Sequence, residues 1–221
     1  MTLSSSVTTQ LKPPSNPRLP AAPVEYDARY VDSLNSILRQ YFNQIDNLTQ
    51  SLLTNTGGRF MRTVCGSFYD TTTQTPTTIN TPKLVNISTT DATCTNAITM
   101  ASSRITVTYP GIYNVQFSVQ STNTDTQAHD AAIWIRKNGT DLASSDSVWS
   151  IQGTHGGQPG YNVTAANFFV PLNASDYIEF WWSSNSLQVQ LNSLPAITSP
   201  FTAPAAPGVI VTMTFVSAPL T

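Results

Sequence analysis

The sequence YNVQFSVQ at residues 113–120 alternates apolar side chains with amide and hydroxyl side chains. Successive side chains of a β-strand point to opposite faces of the sheet, so this stretch predicts a strand with one buried and one wet face. The same alternation recurs at residues 105–109, 187–191 and 209–215. Many short strands of this kind predict an all-β sandwich or jelly roll over residues 60–221.

Turn signals lie between these predicted strands. Pro110-Gly111 precedes the first stretch, and Asn138-Gly139 follows the apolar sequence IWIR. The sequence NASD at 173–176 marks a further corner. Glycine, proline and asparagine favour the backbone conformations of tight turns, so these positions support a sandwich of short strands.

Two predicted strands, at 166–172 and 177–182, are apolar on both faces. A sandwich strand needs only one buried face, so the second face is a candidate contact surface between copies of the chain. Coverage by the Pro-rich loop at 195–207 of the same chain is the alternative. The candidate contacts between copies are Phe169, Tyr177 and Trp181.

A heptad pattern runs through residues 27–56, in which seven consecutive a and d positions are apolar. The pattern predicts a helix that forms a coiled-coil stalk, and Gly57-Gly58 supplies its stop. Ile37 and Phe42 widen the apolar stripe, which favours three strands over two. A helix that packs on its own domain is the alternative. The predicted seam consists of Val31, Leu34, Leu38, Tyr41, Ile45, Leu48 and Leu52.

Residues 1–26 form a Pro-rich leader, and proline at this density disfavours both a helix and a central strand. We expect the leader to be extended unless a partner surface holds it in another conformation.

The composition excludes several functional classes. Charged residues make up 10% of the chain, with 10 Lys and Arg against 12 Asp and Glu. Scattered cations in this number form no basic stripe for phosphates, so nucleic acid is not an expected partner. No apolar run approaches the roughly 18 residues of a membrane span, so no membrane is expected either.

Motifs for catalysis and metal binding are missing from the sequence. It contains no Walker loop, no G-x-S-x-G elbow and no H-E-x-x-H pair. No two Cys or His residues stand at metal-binding spacing, and the two histidines, His129 and His155, are isolated from each other. We therefore expect no enzyme activity, no catalytic residue, no metal and no cofactor. Cys65 and Cys94 are expected to be free, buried thiols.

The sequence YPGIYNVQF at 109–117 resembles the central Gly-x-Tyr-x-Phe-x-Phe motif of C1q and tumour-necrosis-factor-like jelly-roll domains. IRKNG at 135–139 is similar to the family's strand that ends in Lys-Asn-Gly. Leu172 and DYI at 176–178 are similar to its Leu-x-x-Gly-Asp-x-Val corner, with Ser175 in place of the glycine. The resemblance implies a jelly roll that forms compact trimers. The matching motif residues are Gly111, Tyr113, Phe117, Asn138, Gly139 and Asp176.

The whole layout resembles small virion proteins of bacteriophages, in particular those of phages that infect cyanobacteria. The similar sequences are LPAAPVEYD at 19–27 and RQYFNQ at 39–44. The resemblance implies a homotrimer assembled in the bacterial cytoplasm, with an anchor at 1–26 that contacts other virion proteins, a stalk at 27–56 and a head at 60–221. We expect a capsid decoration protein or short head fibre; a tail or baseplate fibre whose head binds a host surface glycan is the alternative. The anchor prolines are Pro13, Pro17, Pro20 and Pro23.

Overall fold

The computed structural model describes residues 14–53, 63–199 and 201–218. The chain divides into two units, Met1–Arg62 and Thr63–Thr221. The helices and strands are α1 (Ala28–Leu53), β1 (Cys65–Asp70), β2 (Lys83–Leu84), β3 (Thr89–Thr90), β4 (Ile98–Ala101), β5 (Arg104–Val107), β6 (Gly111–Asn123), β7 (His129–Lys137), β8 (Thr140–Asp141), β9 (Ser147–Ile151), β10 (Gly160–Leu172), β11 (Tyr177–Ser184), β12 (Val189–Leu191) and β13 (Val209–Ser217).

The first unit contains α1, which lies within the stretch predicted as a stalk. Asp27 caps its N-terminus, because a side-chain oxygen of Asp27 accepts a 2.9 Å hydrogen bond from the backbone N–H of Arg29. Residues 14–27 form neither helix nor strand. The rest of the leader, including Pro13, lies outside the described residues, as do residues 54–56 and the Gly57-Gly58 stop.

The second unit is a sandwich of two antiparallel sheets. The first sheet has the strand order β10-β6-β13-β1-β3, with β12 also paired to β6. The second sheet has the order β4-β5-β11-β7-β8, with β2 also paired to β11 and β9 to β7. Most neighbours in each sheet are distant in sequence, because the chain crosses repeatedly between the sheets, as in a jelly roll. The predicted all-β sandwich is therefore confirmed.

The core lies between the two sheets and consists of the inward side chains of the alternating strands. On β6, Tyr113 and Val115 are fully buried, and the Phe117 ring stacks on that of Phe168 with centroids 6.3 Å apart. Phe117 also contacts Phe180 of the opposite sheet edge-on, at 5.7 Å. Full burial of each such side chain contributes about 1.5–3 kcal/mol, so this alternation stabilises the sandwich.

Two predicted strands are shorter in the structure. In the stretch 105–109 the strand ends at Val107, and Tyr109 is exposed. Pro110, which follows, has no N–H to donate to a sheet ladder. The stretch 187–191 is a strand only from Val189, because Leu187 lies in a turn and is half exposed.

Candidate functional site

The outer face of the first sheet carries no charged side chain on its four long strands. The register places its residues in rows across the sheet, such as Phe169, Asn114, Thr214 and Cys65. The outward residues are Cys65, Ser67 and Tyr69 on β1; Ile112, Asn114, Gln116, Ser118 and Gln120 on β6; Tyr161, Val163, Ala165, Asn167, Phe169 and Pro171 on β10; and Ile210, Thr212, Thr214 and Val216 on β13.

This uncharged face exposes several large apolar side chains. Phe169 is 66% exposed and Val163 is 64% exposed, and Tyr161 and Val216 are also exposed. A groove of about 500 Å³ crosses the face between β10, β6 and β13. Within the described part of the chain, the buried side-chain oxygen of Asn114 on this face accepts no hydrogen bond. A second surface placed against this face would bury apolar area and could supply the missing donor.

The outer face of the second sheet is charged, and four of its charged side chains form two salt bridges. Arg104 donates to Glu179 at 2.8 Å. Arg136 donates to Asp141 at 2.5 Å, and the indole N–H of Trp134 donates to the same Asp141 oxygen at 2.7 Å. The hydrogen bonds from Arg136 and Trp134 hold the pKa of Asp141 below its usual value. These bonds satisfy the charged groups around Arg104 and Arg136.

Two of the three candidate contacts between copies, Tyr177 and Trp181, lie on this charged face. The guanidinium of Arg136 covers the Trp181 ring at 3.9 Å, and that of Arg104 lies 4.8 Å from the centre of the Tyr177 ring. Only Phe169, the third candidate, lies on the uncharged face. The Pro-rich loop forms a groove with Tyr69, Thr71 and Thr73 beside the first sheet.

The motif residues on β6 have structural roles. A Cβ at Gly111 would lie 2.3 Å from the Phe215 ring and 2.8 Å from the carbonyl oxygen of Ser217, so only glycine fits. Tyr113 is buried, and its hydroxyl donates to the carbonyl of Tyr109 at 2.7 Å. Burial raises the pKa of Tyr113.

The remaining motif residues join two turns. Asn138 and Gly139 both have positive φ, as a tight hairpin turn requires. The Asn138 amide donates to Asp176 at 2.7 Å and accepts from the backbone N–H of Tyr177 at 3.0 Å. Burial raises the pKa of Asp176, but hydrogen bonds from Asn138, the Asn173 N–H and Lys137 outweigh it and leave the pKa below its usual value.

The described side chains of α1, residues 28–50, include none that is buried within the chain. The side chains that are only half exposed include six of the predicted seam positions, Val31 to Leu48. Ile37 belongs to the same group, and Phe42 beside it is 57% exposed. The side chain of the last seam residue, Leu52, lies outside the described residues. The apolar stripe of the helix is therefore open to a partner.

Among the described residues, the side chains considered for catalysis or metal binding do not come together in one site. The ring nitrogen Nε2 of His129 lies 2.7 Å from an Asp125 oxygen. This hydrogen bond and a second one from the backbone N–H of Thr126 lower the pKa of Asp125. His155 lies in an exposed hairpin. No three His, Cys, Asp or Glu side chains of the described ranges are placed to hold a metal.

The prediction for the cysteines is partly wrong. Both thiols are free, but Cys94 is exposed, because it lies in a surface turn in which its N–H donates to the Asp91 carbonyl. Cys65 is half-buried on β1, and its thiol donates to the Cys94 carbonyl at 3.1 Å. In the part of the chain that the structure describes, no helix has both the length and the apolarity for a membrane span.

The fold and surfaces define a jelly-roll sandwich protein with a separate N-terminal helix. No known protein family matches the sequence, and no curated protein is significantly similar to it. Among solved structures, the chain is similar to the Eiger TNF of S. frugiperda, with a TM-score of 0.48 and 10% sequence identity. That match covers 73% of this chain and 97% of the Eiger chain.

Proposed function

We propose that this chain is a non-enzymatic structural protein of a bacteriophage virion that assembles as a homotrimer. In this proposal it is a capsid decoration protein or short head fibre, assembled in the bacterial cytoplasm and attached to the particle by its leader. The observation that carries the proposal is the uncharged outer face of the first sheet, with Phe169 and Val163 exposed on it. Such a face is typical of a surface that another subunit covers.

The helix α1 supports assembly into an oligomer independently of the sheet face. Most of the stability of a helix in a protein comes from the packing of its apolar face, and α1 has such a face along its 26 residues. In α1 that face is open, and its heptad spacing suits other copies of the same helix. Ile37 and Phe42 widen it beyond a two-stranded seam, which favours a trimer.

The leader supports attachment to a partner. Leu19, Val24 and Tyr26 are 51%, 104% and 87% exposed, in a segment without regular secondary structure. Exposed apolar side chains on such a segment suit insertion into a groove of another virion protein. The described anchor prolines, Pro17, Pro20 and Pro23, would limit the entropy lost on docking.

Particle binding tests the proposal. Deletion of residues 1–26 should leave a trimer that no longer cosediments with purified virions of the source phage, and Val24→Ser with Tyr26→Ser should weaken cosedimentation. Glu25→Gln, between the two, is the matched control and should bind normally. Unchanged attachment of the deletion variant would refute the anchor, and absence of the chain from virions by mass spectrometry would refute the virion role.

A tail or baseplate fibre with a glycan-binding head is the second candidate. A polar groove on the outer face of the second sheet favours this second candidate. The groove contains no residue of the helix or of the uncharged face.

A further inference from the structure

A groove of about 290 Å³ lies on the outer face of the second sheet, across β11, β7 and β9. Its floor consists of small side chains, because Ala132 of β7 lies directly opposite Ser183 of β11. Val148 of β9 pairs with Ala132 on the other side and is 68% exposed, which gives the groove an apolar wall. One row further along, Trp134 and Trp181 lie opposite each other. The small residues therefore leave a depression beside a row of bulky ones.

Polar groups with unused hydrogen-bonding capacity surround this depression. One carboxylate oxygen of Asp130 accepts from the Ser150 hydroxyl, and its second oxygen has no partner among the described residues. The Asn185 side-chain oxygen accepts from the Asp130 N–H at 3.1 Å, but in the same ranges its amide nitrogen has no acceptor. The side chains of Asn80 and Ser183 are likewise unpaired within the described chain. The groove thus offers an acceptor and several donors.

We propose that this groove binds one sugar residue of a saccharide, and that the sugar is neutral or carries an amino group. A pyranose presents hydroxyl groups around an apolar C–H face, which matches polar groups around Val148 and Ala132. Of the residues that line the groove, only Asp130 is charged, so an acidic sugar would meet an unpaired carboxylate and be disfavoured. The volume is just below the range of about 300–1,000 Å³ for drug-sized ligands, which suits a single sugar ring.

Binding of simple glycosides to the full-length protein tests this site. The probes are the methyl glycosides of glucose, galactose, mannose, N-acetylglucosamine and glucosamine, with methyl glucuronide as the acidic member. Saturation-transfer NMR detects binding, and the fluorescence of the nearby Trp134 and Trp181 follows the titration. We expect at least one neutral or amino glycoside to bind, and the glucuronide to bind more weakly than that glycoside.

Two variants assign the binding to the groove. Asp130→Asn removes the charge at constant shape, and Ala132→Leu fills the floor without removing a polar group. Each should weaken binding about tenfold or more. Thr99→Leu is the control, because Thr99 is exposed on β4, the strand at the other edge of the same sheet. It should bind like the unmodified protein.

Three results would overturn the proposal: no binding of any neutral or amino glycoside, binding that Ala132→Leu leaves unchanged, or a preference for the glucuronide. Sedimentation of the same samples reports the oligomeric state. Absence of sugar binding by unmodified protein that sediments as a trimer would refute the groove alone, while a monomer that still binds sugar would refute only the trimer.

Discussion

The guanidinium of Arg136 lies 3.9 Å from the centre of the Trp181 indole ring. Arg136, on the neighbouring strand β7, covers the apolar ring on the outer side of β11, and Asp141 holds the same arginine through a salt bridge. The large ring at position 181 therefore needs no second subunit. Phe169 on the opposite sheet has no such cover and is 66% exposed. The difference between these two aromatic residues supports the proposal that the first sheet is the assembly surface.

Two exposed valines on opposite sheets test which face is buried in the oligomer. Val163 on β10 and Val148 on β9 are 64% and 68% exposed in the single chain. Val163→Lys should weaken the trimer by about 2–4 kcal/mol per subunit, because it places an unpaired charge in an apolar contact. Val148→Lys should leave it intact. Sedimentation velocity over a dilution series measures both, and equal behaviour of the two variants would contradict the assignment.

Ser175→Gly should stabilise the head. Ser175 has a φ of +69°, in the left-handed region, and stands where the jelly-roll resemblance expects a glycine. Glycine adopts this conformation without the steric cost of a Cβ, so we expect a gain of about 1 kcal/mol in the free energy of unfolding. Ser147→Gly, in a strand, should instead cost about 0.5–1 kcal/mol. Chemical denaturation compares the two, and a destabilised Ser175→Gly would refute the strain.

Trp182→Phe should be milder than Trp149→Phe. The indole N–H of Trp182 is buried and has no acceptor among the described residues, whereas that of Trp149 donates to the Ser121 hydroxyl at 3.1 Å. Both substitutions lose packing, but only the second loses a hydrogen bond, worth about 1 kcal/mol. Urea denaturation of both variants gives the difference. A larger loss for Trp182→Phe would show that its N–H is satisfied in solution.

Asp176 should make the head sensitive to acid. Its pKa lies below the usual value of 3.8 when folded, so folding favours the ionised form. The resulting stabilisation is present above the pKa of the unfolded chain and is lost as the pH falls through the folded pKa. Asp176→Asn should lower stability at neutral pH and flatten its decline below about pH 4. Melting temperatures measured against pH would refute this if both proteins lose stability in parallel.

Local sequence patterns correctly predicted the helix, strands and turns whose formation depends on residues close in sequence. The alternation around Tyr113 and Phe117 became β6, the heptad spacing from Val31 corresponds to α1, and Asn138-Gly139 became a turn with positive φ at both positions. In each case the periodicity or the turn chemistry is set within a few residues.

The face that each aromatic residue occupies could not be predicted in the same way. Tyr177 and Trp181 look unpartnered in the sequence, but their partners, Arg104 and Arg136, lie about 70 and 45 residues earlier and meet them only through sheet pairing. The exposure of Cys94 likewise depends on a turn that folds outside the sheet. The uncharged face of the first sheet emerges only when four distant strands are placed in register.

Sedimentation equilibrium of the purified full-length chain at micromolar concentration tests the central claim most directly. Packing of the helix stripe and of the uncharged sheet face against other copies predicts a single species of three times the 23.9 kDa chain mass. A species of 23.9 kDa that persists at these concentrations would contradict the proposed assembly.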